Sequence, residues 1–163
     1  MAESSMWDSR DVEVPQRAFD LLQKIGTPTL SGDLLKLGFK NHYMMGPEPL
    51  ALMSNQKMIG RARTLRFIPF REDLLESQYG SLTDSFHRNA LEDIQTGDVL
   101  VIDAGSCLDA AVLGDMFTRR VSQQGGTGIV IDGVLRDLTD IKTVGLPVFA
   151  RGMHGAGITR ALM

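Results

Sequence analysis

Arg136 and Asp137 stand side by side after "TGIVIDG", an apolar, β-branched run that reads as a buried strand closed by an Asp132-Gly133 turn. An arginine on a loop fixed by such a strand suits a carboxylate or an enolate oxygen, because its planar fork donates two bonds at once. A carboxylate there suits a hard divalent cation, which often takes one or two protein carboxylates and keeps several waters. The plainer alternative is a local salt bridge capping a helix that starts near Leu138. The chemistry of the two residues leaves both readings open.

Gly114-Asp115, in "AVLGDMFTRR", is the second feature. A glycine there suits a backbone that bends or comes close to a ligand. If a helix starts at Asp115, the free N–H groups of Gly114, Asp115, Met116 and Phe117 suit an anion, and Asp115 lies in the first turn, where the dipole favours a carboxylate. Alternatively Asp115 is only a dipole-compensating cap, or a polar residue inside one helix from Leu108 to Gln124. Spacing does not separate these.

Other groups carry less. In open parallel sheets ligands collect at the carboxyl ends of strands, which draws attention to Asp103, Asp132 and Arg151 as well, although loops are polar anyway. "GGTG" at 125–128 precedes its strand, whereas a dinucleotide loop follows one. His42, His87 and His154 lack metal-ligand spacing; His154, near Arg151, is the most interesting of them. Cys107 has no evident base and reads as a small core or loop residue. Arg61, Arg63 and Arg66 read as a solvated strand face or subunit interface, since no aromatic platform interleaves them.

These residues need elements to hold them. Residues 1–14 are a polar arm. "QRAFDLLQKIG" has helical spacing, and Ser31 is placed to cap a short second helix that ends before Gly38. Residues around 42–56 read as a connection containing Pro47 and Pro49. "MIGRARTLRFIPF" alternates as an imperfect strand, and the acidic stretch after it turns helical around Ser85–Ile94. Then come an apolar strand ending at Asp103, a segment "LDAAVLGDMFTRRVSQQGG" that is mainly helix closed by Gly125 and Gly126, the strand "TGIVIDG", a short helix and the strand "LPVFARG". Uniformly apolar strands alternating with helices mean an α/β domain with a parallel-strand core covered on both faces.

The bounds agree. The chain has 163 residues, and a chain of that size buries about 70% of its unfolded surface without needing a disulfide or metal. A net charge of −3 gives no reason to expect nucleic acid or an anionic membrane as partner. There is one cysteine, no signal-peptide pattern and no membrane-spanning apolar window, so a cytoplasmic protein is expected.

Asp115, twenty residues, then Arg136-Asp137 resembles the Asp-x20-Arg-Asp signature of the class II 4-hydroxy-4-methyl-2-oxoglutarate aldolase and RraA-like family. "GDVLVIDAG", "AAVLGDMF", "GIVIDGVLRD" and "GLPVFARG" look like its successive core segments, and "GRARTLRFIPFREDL" resembles a longer subgroup labelled ribonuclease activity regulator. The resemblance runs from about Phe19 to the C-terminus. It implies an RraA-like swivelling β/β/α domain over residues 15–163, assembling as a homotrimer or dimer of trimers with sites between subunits. It also implies a lyase that cleaves a 2-oxo acid of the 4-hydroxy-4-methyl-2-oxoglutarate type to pyruvate through a metal-stabilised enolate, with oxaloacetate decarboxylation as a side activity. By the same resemblance Asp137 holds a divalent metal (Mg2+ or Mn2+), and the amides of Gly114, Asp115, Met116 and Phe117 meet the substrate carboxylate. Arg136 faces the keto or enolate oxygen, and Asp115 positions a water for proton transfer. A protein-binding regulator of ribonuclease activity is the rival, because members with that role share the fold. Relatives with this N-terminal region usually continue past "GMHGAGITRALM" with further strands, one bearing an acidic residue that reaches a neighbour's site. The expectation is therefore a C-terminally truncated domain, or an inactive fragment.

Overall fold

The computed structural model describes residues 13–69 and 86–158, with only the backbone of residues 86–88. The arm at 1–12, the acidic stretch at 70–85 and the side chain of His87 lie outside them. The chain divides into two compact units, one up to His42 and one from Tyr43.

The first unit holds helices α1 (Gln16–Lys24) and α2 (Thr27–Lys36). α2 begins earlier than the sequence suggests. Gly26 is its N-cap and Pro28 sits in its first turn, a position where the missing N–H costs nothing. Ser31 is therefore inside the helix rather than capping it. Its hydroxyl and His42 Nε2 are 2.6 Å apart, while His42 Nδ1 lies 2.6 Å from the Phe39 carbonyl. A carbonyl only accepts, so Nδ1 carries a proton, and in the neutral ring Nε2 accepts from Ser31. The pair ties the segment after Gly38 (φ 92°) back to α2.

The second unit is built on a five-stranded sheet in the order β1-β5-β4-β3-β2. The strands are β1 (Glu48–Ala51), β2 (Arg61–Arg66), β3 (Asp98–Leu113), β4 (Gly128–Leu135) and β5 (Val148–Met153). β3, β4 and β5 pair in parallel, as their apolar runs predict; β2, the alternating strand, joins β3 in parallel as well, and β1 joins β5 antiparallel. β1 falls in the region expected to be only a connection. Helices α3 (Phe86–Glu92), α4 (Asp115–Gln123) and α5 (Leu138–Val144) complete the unit.

One face of the sheet carries the core. Leu100 and Ile102 pair with Ile129 and Ile131, which pair with Val148 and Ala150; all six are buried and meet Leu91, Val121 and Ile141 from the helices. A fully buried aliphatic side chain is worth about 1.5–3 kcal/mol. These uniformly apolar central strands are therefore the rigid part of the molecule.

Two boundaries differ from expectation, and both shape the site. Asp132-Gly133 is not a turn, because β4 continues through it to Leu135. Residues 108–113 are not the start of a helix either. β3 runs on to Leu113, with register shifts after Asp103 and Cys107 that put more β3 residues alongside the eight of β4. Gly105 and Ser106, at φ 59° and 60°, turn the excursion outward. α4 starts only at Asp115 and closes as expected: Gly125 takes a left-handed φ of 86°, and the amides of Gly125 and Gly126 return to Ser122 and Val121.

Candidate active site

β3 and β4 stay paired to their ends despite the register shifts, with Leu113 opposite Leu135 and the Arg136 amide donating to the Leu113 carbonyl at 3.0 Å. The residues just beyond the two strands therefore meet in space. Gly114 comes directly after β3, and Arg136-Asp137 directly after β4. A Cβ on Gly114 would lie 2.6 Å from Asp137 Oδ2, 3.2 Å from Arg136 Nε and 3.3 Å from Arg136 Cγ. The φ and ψ of Gly114, −132° and −170°, are open to any residue, so close approach rather than backbone freedom requires the glycine.

Asp137 has the left-handed backbone φ 57°, ψ 35°, a conformation that aspartate and asparagine tolerate better than most residues. It is the N-cap of α5, yet its side chain makes no capping bond; its carbonyl instead accepts from the amides of Asp140 and Ile141. The carboxylate turns back toward Gly114 and pairs with Arg136, Nε to Oδ2 at 3.3 Å, with both side chains more than a third exposed. A salt bridge of this exposure contributes about 0–1 kcal/mol. The expected local ion pair is present, but it does not cap the helix.

Gly114 also opens α4. Buried Thr118 fixes this corner by donating its hydroxyl to the Gly114 carbonyl at 2.9 Å, alongside its amide at 3.1 Å. Asp115 is in the first turn of α4, where it pairs with Arg119 at 3.5 Å; Arg119 also donates to Thr143 of α5 at 3.2 Å. Met116 is 77% exposed and Phe117 packs against the core, so the contribution of both to a site would come from the backbone. Gly114, Arg136 and Asp137 thus converge, and Asp115 stands at the start of the adjoining helix. Thr118 and Arg119 are supports without a spacing signal in the sequence.

The other strand residues form a separate group. Asp103 lies opposite Asp132 in register, and each has its own arginine: Arg66 at 3.0 Å from Asp103, and Arg151 hydrogen-bonded to Asp132. Ser106 donates to Asp132 at 3.1 Å, and Arg151 reaches the Met45 carbonyl at 3.2 Å. This row borders a depression of about 350 Å³ lined by Met44, Met45, Pro47, Val101 and Val130, distinct from the Gly114 corner. Arg63 is committed as well, to the Asp93 carbonyl at 3.2 Å and Asp98 at 3.7 Å, so the arginine-rich strand presents no free basic stripe. Away from the site, the hydrogen bond and charge of Glu92 hold the Arg120 guanidinium above its ordinary pKa.

Among the described residues no three histidine, cysteine or acidic side chains converge as a metal cage. The corner brings one carboxylate, Asp137, with no bond to its helix. A carboxylate placed this way would suit a hard divalent cation, which often takes only one or two protein carboxylates. No helix among the described residues is long and apolar enough to cross a membrane.

Known proteins resemble this chain in sequence and in fold. The family model RraA-like (Aldolase/RraA) matches residues 27–161. A protein of Halalkalibacterium halodurans named "Putative 4-hydroxy-4-methyl-2-oxoglutarate aldolase" is 31% identical over 101 residues, covering 62% of this chain and 42% of that protein. Protein DlpA of Legionella pneumophila is 29% identical over 105 residues, covering 63% of this chain and 16% of its own length. The chain thus spans less than half the length of these curated relatives. The crystal structure of Streptomyces coelicolor RraAS2, described as an unusual member of the RNase ES inhibitor RraA protein family, superposes with a TM-score of 0.79 at 31% identity. It covers 93% of this chain and 71% of that one. The RNA-processing inhibitor RraA from Thermus thermophilis gives a TM-score of 0.58 at 26% identity, over 78% and 69% of the two chains. With this family model matched over residues 27–161, the chain belongs to the RraA-like family.

Proposed function

We propose that the corner formed by Gly114, Asp115, Arg136 and Asp137 cleaves the C3–C4 bond of a 2-oxo dicarboxylate of the 4-hydroxy-4-methyl-2-oxoglutarate type. The observation that carries this reading is the contact of Asp137 and Arg136 with Gly114. It brings an anionic ligand group and a forked cation to the N-terminus of α4. In the cleavage a base takes the 4-hydroxyl proton, the C3–C4 electron pair moves to C3, and a pyruvate enolate and a second pyruvate result. Oxaloacetate would give the same enolate with loss of CO₂.

Asp137 is the residue that would hold a divalent cation (Mg2+ or Mn2+), which when bound supplies a Lewis acid for the 2-oxo acid. Arg136 donates to the oxygen that gains charge as the bond breaks, the moment at which such a donor lowers the barrier. The first-turn amides of α4 lack intrahelical acceptors and orient the substrate carboxylate. Asp115, steadied by Arg119, positions the water that carries protons to and from the substrate. The assembly is a homotrimer or dimer of trimers with sites between subunits. The test is pyruvate release from 4-hydroxy-4-methyl-2-oxoglutarate and from oxaloacetate, with Mg2+ and after chelation. Metal-dependent release from either supports the reading, and its absence with both overturns it.

A second reading draws on the solved relatives named as RNA-processing inhibitors. It makes the chain a binding regulator of an RNA-degrading enzyme. Salt-stable binding to a ribonuclease by an Asp137→Asn protein, with no pyruvate release by the wild type, would favour it.

A further inference from the structure

Residues 154–157 leave β5 and cross to β3. The His154 amide donates to Leu135 at the end of β4 at 2.9 Å, the Ala111 amide on β3 donates to the Ala156 carbonyl at 2.9 Å, and Gly157 bridges to Ala111. Since β4 lies between β5 and β3, the segment passes over the exit of β4, where Arg136 stands. A Cβ on Gly157 would be 3.4 Å from Arg136 Nη1. The arginine therefore has glycines on two sides, Gly114 by its Nε and Gly157 by its Nη1.

The turn of this strap is held by a side chain. The Ala156 amide donates to His154 Nδ1 at 3.1 Å. Nδ1 must then carry the lone pair, which puts the proton of the neutral ring on Nε2. The bond runs from residue i to residue i+2, the pattern by which a short polar side chain closes a turn.

We propose that His154 is a positioning residue: through the Ala156 amide it holds the strap across the end of β4, and the strap seats the Arg136 guanidinium. The inference rests on the reading of Arg136 as the residue that meets the substrate oxygen. Asparagine carries Oδ1 at the branch position of His Nδ1, so it keeps the acceptor and discards the rest of the ring. Alanine discards both.

The experiment compares His154→Ala and His154→Asn with wild type, reading pyruvate formation with Mg2+ together with amide hydrogen exchange at Ala111, Arg136 and Ala156. Arg136 acts where charge develops, so His154→Ala should lower kcat by about tenfold with KM changed less than about twofold. Exchange at the three amides should rise by about tenfold or more. His154→Asn should restore both to near wild type. Two results would overturn the proposal: His154→Ala with unchanged exchange at Ala111 or an unchanged kcat in an active enzyme, or His154→Asn as impaired as alanine, which would give the role to Nε2. A wild type that releases no pyruvate would sink the lyase reading instead, and exchange at Ala111 and Ala156 would still decide whether His154 holds the strap across the end of β4.

Discussion

The Asp137 carboxylate packs against Gly114, leaving no room for a Cβ between them: one built on Gly114 would lie 2.6 Å from Asp137 Oδ2. This contact joins the end of β3 to the end of β4, and with them two residues that lie 23 positions apart in the sequence. It also makes the site sensitive to a single methyl group.

Gly114→Ala should therefore keep the fold and lose the chemistry. Alanine accepts φ −132° and ψ −170° without strain, but its methyl group displaces both Asp137 and Arg136. A displacement near 1 Å at reacting groups costs about 100-fold in rate. Steady-state kinetics beside a thermal melt would check this, with kcat/KM collapsing and Tm nearly unchanged.

Thr118→Val tests the corner from below. The swap keeps the shape of a fully buried side chain and removes the bond to the Gly114 carbonyl. The loss should be about 1 kcal/mol, which in a chain of this size lowers Tm by about 2–4 °C. Chemical denaturation should report the same difference with an unchanged m-value.

Arg136→Lys keeps the charge and loses the fork. Because the fork meets an oxygen that becomes negative only as the bond breaks, kcat should fall about 100-fold with little change in KM. A variant whose KM rises while kcat holds would mean that Arg136 serves ground-state binding instead.

At Asp137 the backbone and the charge can be separated. Its φ of 57° suits asparagine, so Asp137→Asn should change stability by no more than about 0.5 kcal/mol. Asp137→Ala places a Cβ in the left-handed region with no local compensation and should cost about 1 kcal/mol. Equilibrium unfolding of both variants against wild type measures the difference.

Much of this architecture was legible from residue pattern. The runs at Val99–Ile102 and Gly128–Ile131 are too uniformly apolar for anything but central parallel strands, and the structure pairs them in register. Residues 108–113 misled for a physical reason. Leu-Asp-Ala-Ala-Val-Leu has good helix propensity, but the partners that make it a strand are Val134, Leu135 and the Ala156–Gly157 strap, none of them local in sequence. Ser31 looked like a cap because it precedes the apolar run Leu34, Leu35 and Leu37, but Pro28 already occupies the first turn three residues earlier. Asp115, Arg136 and Asp137 were found through their family-like spacing. The reason Arg136 and Asp137 meet Gly114, two paired strand ends with glycine at the contact, depends on pairing that no short window contains. His154 stood out only as a histidine near Arg151, whereas its ring accepts from the Ala156 amide, a bond no spacing announces.

The most direct measurement is the Mg2+ dependence of pyruvate formation from 4-hydroxy-4-methyl-2-oxoglutarate and from oxaloacetate by wild type and by Asp137→Asn. The wild-type rate should rise and saturate with Mg2+ on at least one of the two substrates, while the variant stays at the uncatalysed baseline at every concentration. Superimposable curves for the two proteins would contradict the assignment of Asp137, and with it the reading of the Gly114 corner as a metal-dependent lyase site.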